Sequence, residues 1–162
     1  MITASDPRRL YPATAAAELL SSPVALDEAH VAGYHRDGYL AIENLLSPEE
    51  VATAKAALDD LLHNRIPGFD GLQPEPEVTD RWADMSPDER AGAVRKVWLF
   101  AAHEPRMAAL TRHPMLHRIL ERLIGEPCRL IQDMALLKPP HIGSEKPWHE
   151  EKTMHMHMRD PC

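Results

Sequence analysis

His149 and Glu151 are the sharpest chemical pair in this chain. On an extended strand, residues i and i+2 point to the same side, with Cα atoms roughly 6.6–7 Å apart. An imidazole nitrogen and a carboxylate oxygen on that side can converge on one cation. Nitrogen-plus-oxygen ligation suits a divalent first-row metal such as iron(II). A two-His-one-carboxylate triad needs one further His and leaves three positions open for a co-substrate and oxygen. His-x-Glu arises often by chance, and the spacing alone is a weak signal for a metal. Downstream, His155 and His157 alternate with Met154, Met156 and Met158. Thioethers beside imidazoles suit copper(I). A non-catalytic helical domain with a metal-binding tail is therefore a second reading of the stretch, and a decayed remnant is a third.

Other catalytic templates are missing. His149-Glu150 is followed by Glu151, Lys152 and Thr153, so there is no H-E-x-x-H. Neither a glycine-rich phosphate loop nor a G-x-S-x-G elbow occurs. Cys128 lies in an apolar stretch that reads as a buried strand, which predicts an inert thiol. His30, His35, His63, His103, His113 and His117 are scattered through helices and connections and read as surface or packing residues.

The elements that must position the His149 pair are short, because 15 prolines interrupt 162 residues. Residues 1–11 read as a loose tail, followed by a short helix from Pro12 to Leu20. Asp27 caps a second helix that stops before Gly38, and Tyr39 to Ile42 is a short strand. Ser47-Pro48-Glu49-Glu50 is a capping box with proline in the first helical position, and this helix runs to about His63. Val51, Ala54, Leu58, Leu61 and Leu62 are expected on its packed face.

Residues 64–80 read as a long loop, rich in proline and glycine. Ser86-Pro87-Asp88-Glu89 opens another short helix, and Arg95 to Phe100 is extended. Helices are expected over Pro105–Leu110 and Pro114–Leu123, the second ended by Gly125. Cys128 to Lys138 reads as one buried strand, Pro139 to Gly143 as a turn, and Trp148 onward as a strand.

The length suits one domain with a real core. A net charge of −7 argues against general nucleic-acid binding and against docking on anionic lipid. No apolar run approaches the roughly 18 residues of a membrane span, and no signal-like segment opens the chain. Two distant cysteines, Cys128 and Cys162, are not a disulfide framework and fit a reducing cytoplasm.

Several segments in order resemble the phytanoyl-CoA dioxygenase family of iron(II)- and 2-oxoglutarate-dependent oxygenases. They are Gly33-Tyr34-His35-Arg36-Asp37-Gly38-Tyr39-Leu40, Leu45-Leu46-Ser47-Pro48-Glu49-Glu50-Val51 and Lys96-Val97. Leu123-Ile124-Gly125-Glu126-Pro127 and Gln132 through Pro140 follow, then Gly143 and Pro147-Trp148-His149-Glu150-Glu151. The similarity covers about residues 26–152.

The resemblance implies an α+β fold, with N-terminal helices packed on an incomplete double-stranded β-helix (a jelly roll of the cupin type). Residues 1–25 are then a tail with a short helix, and 26–162 the N-terminal part of the oxygenase domain. It implies His149 and Glu151 as iron ligands, Glu151 standing where the family has Asp. It places Lys96, Met134, His149, Glu150 and Glu151 around 2-oxoglutarate, and it implies hydroxylation of a small organic molecule.

The family's distal His and its 2-oxoglutarate Arg lie well beyond the H-x-D. The chain is therefore expected to be a truncated oxygenase, inactive alone and prone to self-association through unpaired strand edges.

Overall fold

The computed structural model describes residues 17–146. In order they form β1 (Leu19–Leu20), a 3-10 turn (Pro23–Ala25), α1 (Glu28–Asp37), β2 (Ala41–Ile42), α2 (Pro48–Leu62) and β3 (Leu72–Pro74). A 3-10 segment (Pro76–Asp84), α3 (Pro87–Ala91), β4 (Val94–Trp98) and a 3-10 turn (Phe100–Ala102) follow. The last elements are α4 (Pro105–Thr111), α5 (Pro114–Ile124) and β5 (Met134–Leu136). Helix and sheet are mixed, as expected of an α+β chain. No helix among the described residues is long and apolar enough to cross a membrane.

The chain divides into two compact units, residues 17–56 with 105–131 and residues 57–104 with 132–146. In the first unit, short-range polar chemistry sets where helices start and stop. The Asp27 carboxylate accepts the His30 amide at 3.0 Å, and Gly38 ends α1 at φ 81°. Ser47 and Glu50 cap α2 reciprocally, at 3.2 and 2.8 Å. The His113 Nδ1 accepts the Leu116 amide at 3.3 Å and caps α5. Its Nε2 therefore carries the proton and faces Glu50 Oε1 at 3.3 Å.

Leu20, Leu26, Ile119 and Leu123 are the buried core of this unit, with Val31, Tyr34, Ile42 and Met115 packed around them. Burying one such leucine stabilises by about 1.5–3 kcal/mol.

The second unit centres on an antiparallel sheet of order β3-β4-β5. Gln73 pairs with Lys96 and Pro74 with Val94, so Arg95 is an extra residue on β4. This bulge explains the burial pattern. Val94 and Val97 are three apart, yet both are fully buried, because the bulge shifts the strand's alternation by one residue. Gly71, at the start of the β3 pairing, has no room for a side chain. A Cβ there would sit 2.2 Å from the Trp98 carbonyl oxygen.

Four expectations are corrected. Leu19 and Leu20 are not helical but pair in parallel with Ala41 and Ile42, and buried Leu20 joins the core. The stretch 64–80 is not a plain loop: it holds β3 and the start of a 3-10 segment, whose Val78 is buried. Cys128–Lys138 is not one buried strand. Only Met134–Leu136 pairs, and Leu130, Ile131, Met134 and Leu136 are exposed. On the expected face of α2, Leu61 is buried and Ala54, Leu58 and Leu62 are half-buried, but Val51 is exposed and Ala57 is fully buried instead.

Candidate functional site

All of the site that is described lies in the second unit, on β4, β5 and the segment after them. Directly opposed residues of an antiparallel pair share a face. Lys96 opposes Gln73 on one side and Leu136 on the other, and Met134 opposes Trp98. Lys96 and Met134 therefore lie on the same face of the sheet, on a diagonal across β4 and β5. This is the face turned away from buried Val94 and Val97.

On that face the Trp98 indole N–H donates to Gln73 Oε1 at 3.2 Å. The Lys96 ammonium stands 4.6 Å from the centre of the Trp98 ring. No carboxylate among the described residues pairs with Lys96. Burial first, then the positive charges of Lys146 and Arg95, hold its pKa below the ordinary 10.5. A half-buried cation among other cations, with no anion paired to it among the described residues, is a ready counter-charge for a dicarboxylate. Met134 can offer packing and backbone contacts only.

Asp133 fixes where β5 starts. Its carbonyl accepts the Leu99 amide at 3.1 Å, and its carboxylate accepts the Ala101 amide at 2.8 Å. Leu99, at φ 52°, is the kink that lets one residue serve both the sheet edge and the following 3-10 turn.

Beyond β5 the chain turns at Pro139–Gly143, where the Gly143 amide donates to the Pro139 carbonyl at 3.0 Å. A Cβ on Gly143 would lie 2.8 Å from that oxygen and 2.9 Å from Lys138 Cγ, so glycine is what lets this turn close.

The next residues are held by three side chains. The Ser144 amide and hydroxyl donate to Glu75 Oε2 at 3.1 and 2.6 Å. The Lys138 ammonium donates to the Ser144 carbonyl at 3.1 Å, and the Arg95 guanidinium to the Glu145 carbonyl at 3.3 Å. Glu75 is a buried carboxylate. Burial pushes its pKa up. The two Ser144 hydrogen bonds, helped by Arg95 and Lys138, outweigh burial and hold it below the ordinary 4.5.

His149, Glu150 and Glu151, with His155, His157 and Met154 to Met158, lie outside the described residues. Among the described residues no group of three or more His, Cys, Asp or Glu is arranged to hold a metal. The scattered histidines take local roles, His30 in the α1 cap and His113 in the α5 cap. Cys128 is half-buried, its Sγ 3.8 Å from His117 Nδ1.

Sequence reasoning missed Glu75, Asp133 and Ser144. The one signal for Glu75 is its setting in Pro74-Glu75-Pro76, where the following proline holds the backbone extended, at φ −63° and ψ 143°.

The sequence model of the phytanoyl-CoA dioxygenase (PhyH) family matches residues 34–161. Among curated proteins, the chain is 30% identical to an ectoine dioxygenase of Bordetella bronchiseptica, over 82% of this chain and 39% of that protein. It is 27% identical to the ectoine dioxygenase of Sphingopyxis alaskensis, over 83% of this chain and 40% of that one. For the ectoine dioxygenase of Stutzerimonas stutzeri the identity is 27%, over 91% and 45%. The chain thus spans about two-fifths of the length of the curated relatives it matches. No solved structure matches it significantly. With a family match that runs from α1 through the sheet and across His149 and Glu151, the chain belongs to the phytanoyl-CoA dioxygenase (PhyH) family.

Proposed function

We propose that this chain supplies the first metal ligands and a co-substrate contact of an iron(II)- and 2-oxoglutarate-dependent dioxygenase that hydroxylates a small organic molecule. The observation that carries the reading is the family match, which spans Lys96, Met134, His149 and Glu151 in one stretch. The donor chemistry fits: an imidazole and a carboxylate two residues apart suit a divalent first-row metal. The charge on the sheet fits as well, because Lys96 has no carboxylate partner among the described residues, and a dicarboxylate would provide one. The matched stretch of each relative is less than half of it.

In this reading the β3-β4-β5 sheet is one part of a double-stranded β-helix, its Lys96–Trp98 face turned toward the co-substrate. When bound, iron with 2-oxoglutarate supplies the oxidising chemistry. The chain's own residues do the rest. His149 and Glu151 hold the metal, and Lys96 orients a carboxylate by a charge-assisted hydrogen bond. Trp98 shields that bond from water, which strengthens it. Glu151 has one more methylene than the family's Asp, so its carboxylate reaches the metal through an added rotor. Ectoine, the substrate named for the relatives, is the first to assay.

The test is anaerobic titration of the full chain with Fe(II), with and without 2-oxoglutarate. Binding that 2-oxoglutarate strengthens and that His149→Ala abolishes supports the reading. Iron binding indifferent to both overturns it.

A further inference from the structure

We infer that Glu75 is a positioning residue for the metal-ligand segment. Its buried carboxylate, with Lys138 and Arg95, clamps the backbone at Ser144 and Glu145 and so fixes where the chain sets out toward His149. The inference rests on the reading above that His149 and Glu151 carry the metal.

Three features separate this clamp from ordinary packing. Its grip is long-range: both donors to Glu75 come from a residue 69 positions along the chain. Besides the Ser144 hydroxyl, it holds consecutive backbone groups. The Ser144 N–H goes to Glu75, the Ser144 carbonyl to Lys138 and the Glu145 carbonyl to Arg95. The residue before Ser144 is Gly143, already locked in the turn by its bond to Pro139.

Finally, the clamp is built from charge where the fold alone does not call for it. Val78 and Val94 beside Glu75 in the sequence and the sheet are buried. A buried ion group of this kind adds little net stability over an apolar replacement, and its best-attested use is to select one arrangement among several. The β4 bulge has the same sense, since it makes Arg95 the extra residue of the strand and lets its side chain reach Glu145.

The distance to the site makes the clamp effective. Ser144 precedes His149 by five positions, a reach of at most about 18 Å even when fully extended. Metal ligands must be held within about 0.5 Å of their working positions. Freeing the chain at Ser144 would let His149 and Glu151 sample many directions before the metal orders them, and affinity falls by that ordering cost.

The experiment compares the full wild-type chain with Glu75→Gln, Ser144→Ala and Ser144→Thr. Three readouts are taken: Fe(II) affinity by anaerobic titration, amide hydrogen exchange of the metal-free protein, and the thermal unfolding midpoint. Groups hydrogen-bonded directly to metal ligands are worth about 10–100-fold in affinity, and Glu75, which acts through the backbone at Ser144, should fall at the low end of that range. For Glu75→Gln we expect about 10-fold weaker Fe(II) binding at temperatures well below its unfolding midpoint. Faster exchange should be confined to peptides covering residues 140–149. Ser144→Ala should give a smaller loss in the same direction, and Ser144→Thr, which keeps the hydroxyl, should bind like wild type.

A role in stability alone predicts a different pattern, whatever the midpoint: exchange raised throughout the second unit and unchanged affinity in the folded protein. That result, with wild-type binding that depends on His149, overturns the clamp and leaves the functional reading intact. If wild type binds no iron through His149, the functional reading falls and the clamp's role with it. Should Glu75→Gln not fold, Ser144→Ala carries the test, since it removes one donor and leaves the buried carboxylate its second.

Discussion

One oxygen of Glu75 accepts both the amide and the hydroxyl of Ser144, at 3.1 and 2.6 Å, across 69 positions of sequence. This bond pair makes the second unit sensitive to acid. The Glu75 carboxyl is held below its ordinary value of 4.5, so its folded form favours the charged state. The stabilisation is present in full above the unfolded pKa and is lost as pH falls through the folded one. The thermal unfolding midpoint of wild type should fall as pH drops below about 4.5. Glu75→Gln should start less stable at neutral pH and show a flatter acid limb. Parallel acid limbs in the two proteins would refute the assignment.

Lys96 gives a pH dependence of opposite sense. Its pKa is depressed, chiefly by burial, so it loses its proton at a lower pH than an ordinary lysine. An anion held by Lys96 binds while the ammonium is charged and is released as pH rises through that lowered pKa. Lys96→Met is expected to weaken 2-oxoglutarate binding to the iron-loaded chain by about 10-fold, the scale of one charge-assisted hydrogen bond. It should also remove the alkaline decline. Calorimetric titration across alkaline pH checks both, and an unchanged profile in Lys96→Met would assign the co-substrate to other residues.

Two glycines should respond to alanine in opposite directions. Gly33 lies inside α1, where a Cβ would meet only the Arg36 side chain at 3.7 Å, and Gly33→Ala should stabilise by about 0.5–1 kcal/mol. Gly71 leaves a Cβ 2.2 Å from the Trp98 oxygen and 2.7 Å from the Phe69 ring. Because Gly71 also accepts the Trp98 amide at 2.8 Å, Gly71→Ala should break the start of the β3–β4 pairing and cost at least about 1–3 kcal/mol. Urea unfolding measures both.

Self-association through strand edges is expected at β5. Among the described residues, β5 pairs on one side only, and Leu136 beside it is 60% exposed. Exposed apolar edges of this kind invite pairing with another chain. Leu136→Lys should shift gel-filtration elution toward the monomer and raise the concentration at which the protein aggregates. Identical elution of the two proteins would place any association elsewhere.

The helix boundaries were legible in the sequence because their chemistry is local. Asp27 reaches His30, Ser47 reaches Glu50 and Ser86 reaches Glu89 within one turn, and Gly38 and Gly125 end helices by adopting a left-handed backbone that other residues avoid. Those contacts need nothing from the rest of the chain. The candidate metal donors His149 and Glu151 were proposed from a two-residue spacing and lie outside the described residues.

Only the tertiary structure decided the strands and the clamp. β1, β2, β3 and β5 have two or three residues each, too few for an alternating pattern, and they exist because a distant partner satisfies their backbone. The bulge at Arg95 follows from how β3 and β4 register, and it is why Val94 and Val97 share a buried face against the simple period of two. Glu75 reads in sequence as one more surface acid between prolines. Folding brings Ser144, Lys138 and Arg95 to it, and a carboxylate can be buried only where such partners converge.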